Sequence, residues 1–134
     1  MPPATERRLL QAAIAVFGLI PVGAGFAGVF IGPHFADTAA IGDLSLDSHF
    51  RYLSGLLLGI GLAFWGTIPA VERHAARFRL LTLIVFIGGL ARLWALADAG
   101  IPGIPMLGGL TMELIGTPLL CLWQARIANA FHTN

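Results

Sequence analysis

This sequence of 134 residues contains no lysine, a single cysteine and few charged side chains of either sign. Its eight basic residues are all arginine, and with seven acidic residues they leave a net charge of only +1. Since no basic patch stands out in so nearly neutral a chain, we predict no binding to nucleic acid. Cys121 has no second cysteine to pair with, so the cysteine content indicates nothing about the redox compartment.

Spacings typical of metal or catalytic sites are also missing. The chain has no Cys-x-x-Cys and no His-x-x-x-His pair. His34 and His49, with Asp37 and Asp43 between them, form only a loose set of metal-binding side chains. The serines have no partner set for nucleophilic catalysis. We therefore predict no metal site, no cofactor and no catalytic residue.

Apolar residues dominate what the sequence does contain. Hydrophobic residues make up 57% of the chain and charged residues 11%, where a soluble globular domain has roughly 25% charged residues. The mean hydropathy is +0.82. A single domain of this length has too few polar residues to cover a surface that faces water. The composition therefore predicts an integral membrane protein.

The stretch Phe50–Val71 is the clearest candidate for a membrane-spanning helix. From Tyr52 onward it has twenty residues without a charge, and as a helix it would match the roughly 30 Å of a bilayer's hydrocarbon core. An earlier uncharged run, Leu9–Ala36, is too long for the core of a signal peptide, which has about 7 to 15 residues. With two later runs, we predict four spans at residues 9–31, 49–71, 80–97 and 106–128, the second capped by Asp47 or Ser48.

Four such helices with short connections predict an all-α fold, an integral membrane antiparallel four-helix bundle, with residues 1–134 as a single transmembrane domain. Arginines lie at the two ends of the chain and between the second and third predicted spans, whereas the other two loops carry aspartates and no arginine. By the positive-inside rule, we predict that both termini are cytoplasmic. The arginines concerned are Arg7, Arg8, Arg73, Arg77, Arg79 and Arg126.

Apart from these arginines, three charges remain that the loops do not explain: Arg51, Arg92 and Glu113. Counted at 1.5 Å per residue, all three lie in the outer half of the membrane at overlapping depths. Each shares a helix face with glycines, and glycine faces are where membrane helices approach one another. The glycines that we predict to pack helices are Gly55 and Gly59 beside Arg51, Gly88 and Gly89 beside Arg92, and Gly109 and Gly116 beside Glu113.

A lone charge inside a membrane costs on the order of 2.5 to 3.5 kcal/mol, and pairing with hydrogen bonding offsets most of that cost. We therefore predict that Glu113 lies between Arg51 and Arg92. Near the rim of this cluster we place His49, Asp47 and Tyr52. One interpretation is a structural ion pair that fixes the register of three helices. The other is a pocket for a lipid, a quinone or a similar amphiphile, because two arginines to one glutamate leave a positive charge that Asp47 or an anionic head group would balance.

Several of these residues resemble a known family. His49–Gly55 (HFRYLSG) opens a glycine-rich span, Gly88–Leu93 (GGLARL) follows in the third span, Gly100-Ile101-Pro102 forms a turn, and Glu113 is followed by Pro118. In these motifs the chain resembles a bacterial membrane family known as domain of unknown function 4345, and DoxX-like bundles are its nearest look-alikes. The resemblance implies a four-span protein of the bacterial inner membrane whose arginine and glutamate positions are a family signature. It implies no activity.

Three functional hypotheses follow. The first is a non-enzymatic accessory or assembly subunit of a larger membrane complex, which contacts the lipid bilayer and other membrane subunits or further copies of itself. Minimal loops and more glycine faces than one small bundle needs support it. The second is a binding or carrier module for a lipid, quinone or other amphiphile. The third, an enzyme acting on such a molecule, rests only on one glutamate whose pKa burial would shift.

Overall fold

The computed structural model describes residues 3–35 and 42–132 of the chain. All regular secondary structure among these residues is helical, which confirms the all-α class. Five α-helices are present: α1 (Pro3–Ile31), α2 (Leu44–Trp65), α3 (Ala75–Ala99), α4 (Ile104–Thr111) and α5 (Thr117–His132). Short 3-10 segments follow α1 at Gly32–Phe35 and α2 at Ile68–Arg73, and a π-helical segment, Met112–Gly116, joins α4 to α5.

The chain divides into two compact units. One combines Met1–Gln11 with Pro69–Asn134, and we name it the terminal unit. The other, Ala12–Ile68, we name the central unit. The first helix contributes its beginning to the terminal unit and the remainder to the central unit. The sequence-based prediction of a single transmembrane domain stays a prediction.

In the central unit, α1 and α2 pack through glycines, with contacts that run in opposite order along the two helices. A Cβ atom added at Gly25 would lie 2.8 Å from the Cα of Leu58. One added at Gly28 would collide with the side chain of Ser54, and one at Gly18 with Trp65. The two helix backbones are therefore antiparallel and closer together than any larger residue at these positions allows.

The bounds of α2 differ from the predicted span 49–71. Its N-cap is Asp43, whose Oδ1 accepts hydrogen bonds from the backbone N–H groups of Ser45 at 2.9 Å and Leu46 at 3.1 Å. The prediction of Asp47 or Ser48 as the cap is thus wrong by about one turn, since both residues already lie inside the helix. The helix ends at Trp65, because Gly66 and then Pro69 follow, and proline has no N–H to continue a helix.

In the terminal unit, α3 and the stretch α4–α5 extend beyond the predicted spans 80–97 and 106–128. The third helix ends where Gly100 adopts φ +107°, a left-handed backbone conformation that favours glycine. The next helix begins after Gly103, with Pro105 in its first turn, where a missing N–H costs nothing. The connection between these two predicted spans, residues 98–105, is therefore present but shorter, because both helices extend into it.

A small buried core holds the terminal unit together near the start of α3. Leu10, Val71 and Phe78 have no exposed surface, and Ile127 is 2% exposed. Gln124 is also fully buried, and its Nε2 donates to the backbone oxygen of Val71 at 2.8 Å. This hydrogen bond links the last helix to the 3-10 segment that precedes α3.

An ion pair joins the beginning of α1 to the same 3-10 segment. The Nε of Arg7 donates to Oε2 of Glu72 at 2.8 Å, and Nη2 donates to the carbonyl oxygen of Pro69 at 2.9 Å. Burial opposes ionisation of Glu72, but hydrogen bonds from its own backbone N–H and from Arg7 outweigh that effect. The pKa of Glu72 therefore lies below its usual value.

Three helical stretches are long and apolar enough to cross a membrane by length and composition: Pro3–Phe35, Ala75–Ala99 and Ile104–His132. Their presence indicates a membrane protein. Phe50–Val71, the stretch that the sequence made the clearest candidate, is not one of the three. The first turns of α2 carry Asp47, His49 and Arg51, and the helix stops at Trp65.

Candidate functional site

Two charged side chains of the terminal unit form a fork-shaped ion pair, Arg92 of α3 with Glu113 of the π-helical segment. The Nε of Arg92 donates to Oε2 of Glu113 at 3.0 Å, and Nη2 donates to Oε1 at 3.1 Å. Two parallel N–H···O bonds fix the relative orientation of guanidinium and carboxylate and are stronger than one. The pair thereby links α3 to the helical stretch beside it.

Met106 of α4 is a third member of this group. The Nη1 of Arg92 donates to its sulfur at 3.0 Å, and a thioether is a weak acceptor. A guanidinium carries five N–H donors, and the contacts to Glu113 and Met106 use three. One N–H on Nη1 and one on Nη2 therefore have no acceptor among the described residues.

Pro118 accounts for the π-helical form of the segment that carries the carboxylate. A proline ring inside a helix collides with the carbonyl four residues earlier. The wider turn at Met112–Gly116 relieves that collision, and the N–H of Thr117 bonds to the oxygen of Met112, five residues earlier. The hydroxyl of Thr117 donates to the same oxygen at 2.9 Å. Single π-helical turns of this kind are frequent at functional sites.

Gly89 lets α3 approach the ion pair closely. A Cβ atom added there would lie 2.7 Å from Cδ2 of Leu114 and 2.9 Å from Cβ of Glu113. Gly89 is buried, whereas its neighbour Gly88 is exposed. The adjacent glycines of this motif thus differ in role, since only Gly89 faces the π-helical segment.

The ion pair is only partly covered. The side chain of Arg92 is 36% exposed and that of Glu113 is 18% exposed. Counted along the helix, Arg92 lies about 10 Å from the end of α3 and Glu113 about 14 Å from the start of α4. The group carries no net charge, and its spare N–H donors suit an uncharged oxygen acceptor such as a carbonyl.

Arg51 belongs to the central unit, where it caps the end of α1. Its Nη1 donates to the carbonyl oxygens of Val29 at 2.6 Å and Phe30 at 3.2 Å, and its Nε donates to Oδ2 of Asp47 at 2.8 Å. A cation is favourable beside these carbonyls, which have no partner within the helix. Gly32 adopts φ +73°, and a Cβ there would lie 2.7 Å from Nη2 of Arg51. The charge of Arg51 is thus balanced by Asp47. The sequence had left two candidates for this counter-charge, Asp47 and the anionic head group of a ligand.

The structure therefore places the predicted cluster residues in two groups. Arg92 and Glu113 contact each other within the terminal unit, and Arg51 contacts Asp47 within the central unit. A single cluster of Arg51, Arg92 and Glu113 stays a prediction. His49 and Tyr52 are exposed residues of α2, and their place at the rim of such a cluster also stays a prediction.

The six glycines predicted to pack helices have different surroundings. Gly89 lies at the close approach of α3 to Leu114. A Cβ at Gly55 would make ordinary contact, at 3.9 Å, with a valine of α1. One at Gly116 would lie 2.9 Å from the sulfur of Met112 in its own π-helical turn. A Cβ added at any of the other three would meet no atom within 4 Å beyond its own stretch of helix, among the described residues: Gly59, Gly88 and Gly109.

Sequence reasoning missed two features of these groups. The first is the extension of the α1 glycine face back to Gly25 and Gly18, because sequence reasoning recognised only Gly28 and Gly32 as part of it, although the spacing of seven, three and four residues was a usable signal. The second is Met106, for which an apolar stretch offers no signal. Across residues 3–35 and 42–132, no three histidine, cysteine, aspartate or glutamate side chains are grouped to hold a metal ion, and Asp37 lies outside these residues.

The chain matches a known protein family. Residues 9–124 match the sequence profile of a family described as Domain of unknown function (DUF4345). The matched range includes all of α2, the Arg92–Glu113 pair and Pro118. No curated protein and no solved structure matches the chain.

Proposed function

The chain belongs to the DUF4345 family, whose description names no activity, and we propose that it is a non-enzymatic integral membrane protein that acts as an accessory or assembly subunit of a larger membrane complex. The observation that carries the proposal is the incompletely covered surface of Ile104–His132. This stretch is long and apolar enough to cross a membrane, yet no residue in its most apolar window of eighteen is fully buried within the protein. Most residues of 104–123 are half-buried, and the apolar surface that remains needs lipid or another protein against it.

The polar and small residues on this surface favour a protein over lipid alone. Glu113 lies in an ion pair that is only partly covered, and no atom of the terminal unit lies within 4 Å of a Cβ at Gly108 or Gly109 among the described residues. Membrane helices contact one another through such small residues and through polar side chains. A carbonyl or hydroxyl oxygen on a partner helix would also accept the spare N–H groups of Arg92.

The membrane setting that we propose is the bacterial inner membrane, with α1, α2, α3 and α4–α5 as four antiparallel spans and both termini in the cytoplasm. The three long apolar stretches support the membrane location, and the arginine distribution supports the orientation. A topology reporter fused after Asp43 should read external, and one fused after His74 should read internal. The opposite result would overturn the orientation.

The subunit hypothesis is tested by the native size of the protein. Gentle extraction from its own membrane, followed by native mass spectrometry, should recover a complex that contains partner peptides in fixed stoichiometry. Gly88→Leu adds bulk to an exposed position of α3 with open space around it, and should reduce partner recovery per folded chain. Recovery of the wild-type chain by itself would contradict the proposal.

Leu83→Trp is the matched control for that variant. Leu83 is 54% exposed and lies on the same helix, about 140° around its axis from Gly88. Bulk added there should leave partner recovery unchanged. An equal loss in both variants would point to general disturbance of α3 and would remove the support for a partner at the glycine face.

A second candidate function, binding of a lipid, quinone or other amphiphile, is favoured by the two spare N–H groups of Arg92. Arg92 belongs to α3, one of the three long apolar stretches, of which only a small share is buried within the protein. A ligand carbonyl would accept from these N–H groups while its chain lay along that stretch. Glu113→Gln separates the two functions. It should abolish retention of a co-purifying small molecule per folded chain if the site binds one, and leave partner recovery proportional to folded protein if the ion pair is structural.

A further inference from the structure

The eight arginines divide into two equal groups. Four form ion pairs: Arg7 with Glu72, Arg51 with Asp47, Arg92 with Glu113, and Arg126 with Glu6. The other four are exposed, belong to the terminal unit and have no ion-pair partner among the described residues. We name these four the arginine rim: Arg8, Arg73, Arg77 and Arg79. Of their side chains, Arg79 reaches a backbone oxygen of its own helix, at Ala75.

The arginine rim lies at one end of the terminal unit. Arg73 ends the 3-10 segment before α3, and Arg77 and Arg79 lie in the first two turns of that helix. Arg8 follows Arg7, whose side chain bonds to Glu72, the residue next to Arg73. Four positive charges without an ion-pair contact are thus collected where the apolar part of α3 begins, although the carboxylate of Glu72 is close enough to Arg73 to interact with it electrostatically.

Each rim arginine on α3 begins an exposed apolar stripe. Residues three or four positions apart, and seven or eight apart, share a helix face. The stripes are Leu80 (57% exposed) and Ile84 (43%) after Arg77, and Leu83 (54%) and Ile87 (57%) after Arg79. Cationic groups followed within one turn by apolar surface match a molecule with an anionic head and hydrocarbon chains. A soluble acidic protein would match the charges but not the stripes.

We propose that the arginine rim binds the phosphate groups of anionic phospholipids, with the acyl chains along the two stripes of α3. Guanidinium groups bind phosphate oxygens through paired N–H donors. Basic segments beside a membrane favour anionic lipids by an amount that grows with each arginine. The inference does not depend on a partner complex, because it uses only side chains of the terminal unit.

The test is lipid retention by the full chain in neutral detergent, measured by native mass spectrometry. Phosphatidylglycerol and phosphatidylcholine with the same acyl chains are the two probes, and we expect preferential retention of phosphatidylglycerol. Each change of Arg73, Arg77 or Arg79 to glutamine should lower the affinity for phosphatidylglycerol about fivefold. Working in detergent avoids the change of membrane orientation that loss of these arginines would produce in cells.

Arg126→Gln is the matched control, since it removes one positive charge from the same unit, but from an arginine already paired with Glu6 at 3.3 Å. It should change lipid retention far less than Arg77→Gln. Equal losses of lipid retention in the two variants would show that retention depends on net charge alone, which would overturn the proposed site. The proposal also fails if the wild-type chain retains the two lipids equally, or if inorganic phosphate at matched concentration displaces phosphatidylglycerol, because the site would then bind free phosphate.

Discussion

In the central unit, α1 and α2 meet backbone to backbone at glycines, whereas in the terminal unit α3 meets its neighbour through an ion pair beside one glycine. Gly25 approaches the backbone of Leu58, which has no freedom to move aside. Arg92 and Glu113 meet through long side chains, each with several rotatable bonds. The first contact depends on shape alone, and the second depends on charge as well.

This difference predicts how each unit responds to change. A glycine contact between backbones tolerates no added atom, because relief requires two helices to separate. An ion pair tolerates changes of shape but not the loss of one partner, since the remaining charge is then left in an apolar setting. Substitutions in the two units test this contrast, because the expected losses in the free energy of unfolding differ in size.

Gly25→Ala should be the most damaging single substitution. The added Cβ would lie 2.5 Å from the backbone nitrogen of Leu58 and 2.8 Å from its Cα, so α1 and α2 must separate. We expect a loss of about 2 to 3 kcal/mol in the free energy of unfolding, typical of overpacking. Denaturant titration in detergent, followed by circular dichroism, measures it.

Gly23→Ala on the same helix is the control for this prediction. A Cβ there has no atom within 4 Å among the described residues, and alanine in a helix is favoured over glycine by roughly 0.5 to 1 kcal/mol. The control should therefore be neutral or slightly stabilising. A similar loss in both variants would mean that the close approach of α1 and α2 does not limit stability.

Glu113→Gln should have the next largest effect, because it leaves Arg92 without its counter-charge. Removing one partner of a buried pair costs roughly 3 to 5 kcal/mol, and partial exposure of this pair reduces our expectation to about 2 kcal/mol. Replacing both residues by leucine removes the unpaired charge and should recover most of the loss. A double-mutant cycle of unfolding free energies, built from Glu113→Leu, Arg92→Leu and the double leucine variant, measures the coupling, and purely additive losses would show that the pair contributes nothing.

Gly89→Ala should cost less, about 1 to 2 kcal/mol. The added Cβ meets a methyl group of Leu114, which rotates away easily, and the Cβ of Glu113, which does not. Gly88→Ala, one residue earlier in open space, is the matched control and should be neutral or slightly stabilising. Equal unfolding free energies for the two variants would show that α3 does not need the small residue at position 89.

Long apolar runs made the helices of this protein predictable, but not all of their ends. The third and fourth predicted spans lie inside the helices observed, because uncharged runs identify the middle of a helix well. The end of α2 was predicted too late, since hydropathy gives no weight to the pair Gly66 and Pro69. Its start was predicted too late as well, because Asp43 and Asp47 are equally good caps by residue type.

The part of the candidate site that depends on pairing of opposite charges could be predicted from the sequence. A carboxylate and a guanidinium in neighbouring apolar helices are expected to pair, and Arg92 does contact Glu113. The partners of Arg51 depend instead on where α1 ends, since two of its acceptors are carbonyl oxygens of Val29 and Phe30. Nothing in side-chain chemistry identifies backbone acceptors from another helix.

The smallest expected effect concerns Glu72 and arises from pH. The pKa of Glu72 is lower in the folded protein than its usual value of about 4.3, so the unfolded chain takes up the proton first as pH falls. The stabilisation is therefore fully present above about pH 4.3 and is lost as pH falls through the folded pKa. We expect less than about 1 kcal/mol, because the partner Arg7 is 32% exposed.

Comparison of the wild type with Glu72→Gln from pH 7 to pH 3 isolates this contribution, because every other carboxylate titrates in both proteins. The difference in unfolding free energy should be largest near neutral pH and should shrink towards pH 3. A constant difference would mean that glutamine loses only packing, and that the contact of Glu72 with Arg7 does not depend on charge. Stabilisation that grew on acidification would show that burial, not the hydrogen bonds, controls the carboxyl group, and that the folded protein raises its pKa.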